Sequence, residues 1–122
     1  MKGSTLCQCG CNMDVTDEIK KDLKEIDTHC KNITGKDITI TSGARCEKYN
    51  ASDAVKGNKK SAHIRGVACD ISTPDSVTRF AIIEILFILG YKRFGWNKDK
   101  KFVHLDRGLE IDGYPQGVAF DY

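Results

Sequence analysis

Ser61-Ala-His63-Ile-Arg-Gly66-Val-Ala-Cys-Asp70-Ile-Ser72 decides the fold, because it carries two kinds of order at once. Its second half alternates with period two. Val67, Cys69 and Ile71 fall on one side of an extended chain, and Ala68, Asp70 and Ser72 on the other. Asp70 therefore stands in the middle of an apolar strand, between small residues that leave room for an ion. His63 precedes Asp70 by seven positions, a gap that one helical face does not produce. The segment needs a loop that turns back onto a strand, and Gly66 supplies the permissive backbone. Phe102-Val-His104-Leu-Asp106 has the same logic, with His104 and Asp106 on one face and Val103 and Leu105 on the other.

Working outward, Ile19, Leu23, Ile26, Cys30 and Ile33 form a helical stripe. Thr16 caps its start, Glu18 favours its first turn and Gly35 stops it. Asp37-Ile-Thr-Ile-Thr-Ser42 alternates as a strand with Ile38 and Ile40 inward. Cys46 to Val55 reads as a short helix or loop. Thr73-Pro74 reads as an N-cap with proline at the first helical position. The helix it opens, to about Leu89, is apolar nearly all round and is expected to be the most buried element. Tyr91–Trp96 and Lys101–Asp106 are expected to be strands joined by a hairpin loop at residues 97–100. This order predicts an α+β fold in which helices cover one face of a small sheet.

Length and composition set the outer bounds. The chain has 122 residues, 40% hydrophobic and 30% charged, with only two prolines, which predicts a single domain, 1–122, and excludes disordered and coiled-coil classes. A net charge of +2 gives no nucleic-acid footprint, so DNA and RNA are not expected partners. The longest apolar stretch, Phe80 to Tyr91, contains Glu84 and falls far short of the ~20 residues of a membrane span. Met1-Lys-Gly-Ser-Thr-Leu-Cys-Gln-Cys-Gly10 lacks the apolar core of an export signal, so synthesis in the cytoplasm without one is the expectation. Six cysteines without such a signal point to thiols or metal rather than a secreted disulfide framework.

Two imidazoles and one carboxylate are the ligand set of a catalytic zinc site, with the fourth position left for water. The plainer alternative makes His63 a loop histidine and His104 a partner of Asp106 or Asp70. Finding His63, Asp70 and His104 together at this spacing favours Zn2+.

Ser61-x-His63-x-x-Gly66-x-Ala68-x-Asp70, followed by Val103-His104-Leu105-Asp106, resembles the zinc D-alanyl-D-alanine carboxypeptidase family of cell-wall peptidases, nearest to its small phage and prophage forms. Thr41-Ser-Gly-Ala-Arg45-Cys46, with Asn50 after it, is similar to the family's S-G-Y/F-R segment, with alanine in place of the aromatic. Cys7-x-Cys9-Gly10-Cys11 and the closing Gly117-Val-Ala-Phe-Asp-Tyr122 also look like the phage type. The resemblance implies the fold shared with the hedgehog signalling domain: a small antiparallel sheet with helices on one face and zinc on the other. It implies His63, Asp70 and His104 as zinc ligands, with Arg45 binding the peptide carboxylate and Ser61 contacting His63 or substrate. It further implies action on peptidoglycan stem peptides at the bacterial wall, after phage-mediated release. The mechanism asks for a carboxylate to shuttle a proton. Part of the family has an acid three positions before the final histidine, and here that position is Lys101. Asp106 is the first candidate, as base or as a residue orienting His104, and Asp99 the second.

Cys7, Cys9, Cys11 and Cys46 admit a structural zinc, free thiols or a later disulfide, although a Cys9–Cys11 bridge across one residue is strained. Cys30 and Cys69 fall on core faces. Lys56, Lys59, Lys60, Lys98, Lys100 and Lys101 either attract carboxylate-rich wall peptide or are solvated loop tips. A monomer is expected. The competing function is a non-catalytic, metal-binding virion or structural protein of the same fold, and the Lys101 departure keeps it open.

Overall fold

The computed structural model describes residues Met1–Tyr122. Its elements run α1 (Asp17–Thr34), β1 (Ile40–Ser42), α2 (Glu47–Asn50), a one-turn 3-10 helix (Ala62–Arg65), β2 (Ala68–Ser72), α3 (Ser76–Ile88), β3 (Arg93–Asn97), β4 (Phe102–Asp106), a second 3-10 turn (Glu110–Asp112) and β5 (Val118–Asp121). One sheet has the order β1-β2-β4-β3-β5. The first four strands are antiparallel as expected. β5 adds an edge strand parallel to β3, which the hairpin pattern did not reveal.

α1 follows its sequence signals closely. Thr16 Oγ1 accepts from the Ile19 N–H, and Gly35 closes the helix in the left-handed conformation. Ile19, Leu23, Ile26 and Cys30 are buried against the sheet, while Ile33 at the end of the stripe is exposed. Full burial of such a side chain contributes roughly 1.5–3 kcal/mol, so the stripe outweighs the ~1 kcal/mol of the cap in holding α1 down.

α3 departs from expectation at both its start and its burial. Asp75, not Thr73, is the N-cap, its carboxylate accepting from the Thr78 N–H at 2.7 Å. The Thr73 N–H instead donates to the Lys101 carbonyl at 2.8 Å, tying this loop to the β3–β4 turn. Ala81, Ile82, Ile85 and Leu86 are buried, but Val77, Phe80, Phe87 and Ile88 are exposed, Phe80 at 67%. A helix lying on a single sheet, with α1 along one side, keeps an outward face whatever residues occupy it.

Strand register fixes the site. Ser42 pairs with Asp70, Asp70 with His104, His104 with Gly95 and Gly95 with Phe120. These five residues make one row across five strands, on the face away from the helices. Phe120 lies so close that a Cβ on Gly95 would sit 2.6 Å from its ring and backbone. Cys69, Ile71, Val103 and Leu105 occupy the opposite face and complete the core.

A buried polar cluster joins α1 to the end of β4. Tyr91 Oη donates to Asp22 Oδ2 at 2.6 Å, and Arg107 Nε donates to the same oxygen at 2.8 Å while its guanidinium lies 4.0 Å over the Tyr91 ring. Burial first, and then Asp22, push the Tyr91 phenol above its ordinary range. No helix is long and apolar enough to cross a membrane.

Candidate metal centre

The stretch Ser61–Gly66 turns back as its sequence requires. Ser61 Oγ accepts from the His63 N–H at 3.3 Å, the 3-10 turn follows, and Gly66 reverses the chain at φ +69°. The turn drops His63 into a fully buried position. There its Nδ1 lies 2.6 Å from the Gly43 carbonyl oxygen. A carbonyl only accepts, so Nδ1 carries the proton and Nε2 holds the lone pair. Nε2 has no hydrogen-bond partner, although it lies 3.3 Å from Asp70 Oδ1.

Asp70 and His104 arrive from adjacent strands. His104 Nδ1 is 2.9 Å from Asp70 Oδ1, and its Nε2 is 2.7 Å from Asp106 Oδ2. One ligand atom from each of His63, Asp70 and His104 lies within 4.8 Å of the others. An orphaned imidazole nitrogen beside a second imidazole and a carboxylate is the donor set that a zinc ion fits.

The charges agree with the geometry. Burial works to raise the Asp70 carboxyl, but His104 and His63 hold it far below the ordinary range. Burial works to lower His104, yet Asp106 and Asp70 raise it above its usual value. Asp106 is likewise held low, with His104 and Arg93 offsetting its burial. Its Oδ1 accepts from Arg93 Nε at 2.6 Å and from the Gly108 N–H at 2.9 Å. Both oxygens are thus engaged, the arrangement of a residue that orients a ligand.

Arg45 is drawn into the site rather than spread on the surface. Only 8% exposed, it donates from Nε to Ser42 Oγ at 3.3 Å and from Nη1 to Asn50 Oδ1 at 3.1 Å. Its Nη2 lies 3.7 Å from Asp70 Oδ2. A cleft of about 750 Å³ opens over this row, lined by Arg45, Ser61, Asp70, His104, Asp106 and Tyr122 among others. Lys56, Lys60 and Lys100 also line it, whereas Lys59, Lys98 and Lys101 do not. Asp99 stays out of the cleft wall, exposed on the β3–β4 turn with its N–H donating to Asn97 Oδ1 at 3.1 Å.

Tyr122 is the site residue that sequence reasoning missed. Its ring stacks on His104 with centroids 4.5 Å apart and planes at 13°. Burial, then the charge of Asp70, keep its phenol above the ordinary range despite Arg45 nearby. The signal was the alternation Val118, Phe120, Tyr122, which puts Val118 and Phe120 on the cleft face of β5 and Tyr122 just past its end, also lining the cleft.

The cysteines divide into two groups. Cys30 and Cys69 are core residues, and burial pushes their thiols up to about 11 and about 12. Cys7, Cys9, Cys11 and Cys46 bring their sulfurs within 4.8 Å of one another. A family model described as Peptidase M15 matches residues 3–106, a span containing both residue clusters and Asp106. Neither the curated proteins nor the solved structures give a match.

Proposed function

The chain belongs to the M15 peptidase family, and on that premise we propose that it is a zinc-dependent peptidase acting on peptidoglycan stem peptides, as a D-alanyl-D-alanine carboxypeptidase or a crosslink endopeptidase. One observation carries the reading. His63 Nε2 is a buried nitrogen without a hydrogen-bond partner, clustered with His104 Nδ1 and Asp70 Oδ1 beside an open cleft.

His63, Asp70 and His104 would hold a zinc ion, which would supply Lewis-acid polarisation of the scissile carbonyl and acidify a water nucleophile. Asp106 holds His104 by Nε2, so that Nδ1 is the nitrogen left to ligate. Arg93 and the Gly108 N–H keep Asp106 ionised and in place. Arg45, pinned by Ser42 and Asn50, receives the carboxylate end of the peptide, for which a guanidinium fork is suited. Ser61 contacts the peptide at the cleft wall. Lys56, Lys60 and Lys100 draw acidic wall peptide toward it. Tyr122 covers His104 and, held protonated, donates a hydrogen bond to a substrate oxygen. With Asp106 committed to His104 and Asp99 exposed outside the cleft wall, no carboxylate lining the cleft is free to carry the proton to the leaving amine. Action at the bacterial wall after phage-mediated release belongs to the same proposal and rests on the likeness of the motifs to the phage type.

A second reading has its own observation. Asp70 and Asp106 are the only acidic side chains lining the cleft, and both are committed. A non-catalytic metal-binding protein of this fold has the same arrangement. The zinc-loaded full chain, incubated with purified peptidoglycan of several wall types, separates the two. Released D-alanine or new amino groups, abolished by chelator and by His63→Ala, support the peptidase. Metal-loaded chain that releases nothing from any wall type supports the binding protein.

A further inference from the structure

The second cysteine group lies outside the catalytic cluster and none of the chemistry above uses it. Cys7, Cys9 and Cys11 sit on the N-terminal arm, and Cys46 caps α2 some 35 residues later, directly after Arg45. Cys9 Sγ is 3.4 Å from Cys7 Sγ and 3.6 Å from Cys46 Sγ, so it is shared between two neighbours rather than paired with one. Zinc–sulfur bonds of about 2.3 Å at tetrahedral angles set sulfurs roughly 3.8 Å apart. The four sulfurs here, all within 4.8 Å of one another, already bracket that spacing.

The backbone is shaped to the same end. Cys7-x-Cys9-Gly10-Cys11 is tighter than the usual two-to-four-residue ligand spacing. Gly10 meets the difference with φ +87°, and Asn12 follows at φ +67°, so the chain doubles back within a few residues. The Cys46 N–H lies 3.4 Å from Cys7 Sγ and the Tyr49 N–H lies 3.4 Å from Cys46 Sγ. Backbone N–H groups aimed at sulfur favour the thiolate, the form in which cysteine binds metal.

We infer that Cys7, Cys9, Cys11 and Cys46 form a second metal site, a four-sulfur cage for a thiophilic tetrahedral cation of the Zn2+ class. Binding displaces the thiol protons to solvent and forms four metal–sulfur bonds, with no change of oxidation state. The cage clasps the N-terminal arm to the segment that builds the substrate end of the cleft. The Ala44 N–H donates to the Thr5 carbonyl at 2.9 Å, and the Gly43 carbonyl accepts from His63. Arg45 is thus held between the cage on one side and His63 on the other.

Reduced full-length chain titrated with Co2+ gives the test, because a sulfur-to-cobalt charge-transfer band in the near ultraviolet reports thiolate ligation independently of activity. Wild type is expected to show the band and to hold about two equivalents of Zn2+ per chain after loading. The Cys9→Ser/Cys11→Ser double variant, which alters only exposed side chains, is expected to lose the band and to hold about one equivalent. His63→Ala/His104→Ala is expected to keep the band, so failure of the catalytic reading leaves this one standing. Absence of the band in reduced wild type, its persistence in Cys9→Ser/Cys11→Ser, or its loss in the double histidine variant overturns the proposal. Fewer than six thiols titratable in denaturant, in metal-free chain purified without oxygen, also overturns it, by showing a disulfide instead.

Discussion

His104 Nε2 lies 2.7 Å from Asp106 Oδ2, which commits that nitrogen to a buried carboxylate and leaves Nδ1 facing Asp70. Asp106→Asn keeps the shape but weakens the acceptor and its grip on Arg93. Loss of such a supporting group costs about 10–100-fold in metal affinity. Competition of the variant against a chromogenic chelator measures it. Unchanged affinity with lost hydrolysis would make Asp106 the base rather than the orienting residue.

Arg45 is the proposed receptor for a terminal carboxylate. A hydrogen bond to a charged group is worth about 1.5–3 kcal/mol, so Arg45→Ala is expected to lower kcat/KM by roughly 10–150-fold. The loss should appear mainly in KM and should shrink for a stem peptide whose C-terminus is amidated. Equal losses on acid and amide substrates would remove Arg45 from carboxylate recognition and give it a packing role.

The titration of His104 acts with opposite signs with and without metal. His104 has a raised folded pKa, so in metal-free chain its contribution is full below about pH 6.5 and is lost as pH rises through the folded value. Asp70 and Asp106 have depressed folded pKa values, so their contribution is present above about pH 3.9 and is lost as pH falls through the folded values. Zinc needs His104 Nδ1 deprotonated, so its affinity rises with pH until the raised His104 value is passed. The gain in Tm on adding zinc is therefore expected to grow as pH rises from about 6.5 toward the raised His104 value. A gain independent of pH across that range would place the metal on groups that do not titrate there.

Tyr91 and Arg107 share one oxygen of Asp22 in the core between α1 and β4. Tyr91→Phe removes one donor from a buried carboxylate and is expected to cost about 1–2 kcal/mol, or about 3–10 °C in Tm. Thermal unfolding of zinc-loaded chain measures this without disturbing the metal face. An unchanged Tm would mean that Arg107 alone satisfies Asp22.

The grouping of His63, Asp70 and His104 was legible in the sequence because its residues break local rules. An aspartate and a histidine interrupt apolar strands, and a histidine seven positions before that aspartate needs the loop that Gly66 provides. Local signals also carried α1, with Thr16 and Gly35 at its ends. What could not be read depends on contacts between distant segments. The outward face of α3 is set by there being one sheet layer to cover, and its start by Asp75 competing with Thr73 for the cap. β5 and Tyr122 reach the site only because Gly95 admits Phe120, a relation between residues with no common pattern. For Asp106 the sequence leaves base and orienting residue both open, because the Arg93 contact to its second oxygen comes from another strand.

Anomalous diffraction at the zinc edge from crystals of the zinc-loaded chain tests the central claim most directly. A peak bounded by His63 Nε2, His104 Nδ1 and the Asp70 carboxylate is the result that follows from the tautomers fixed by Gly43 and Asp106. A zinc peak on the Nε2 side of His104, or no peak between these three residues, would contradict it.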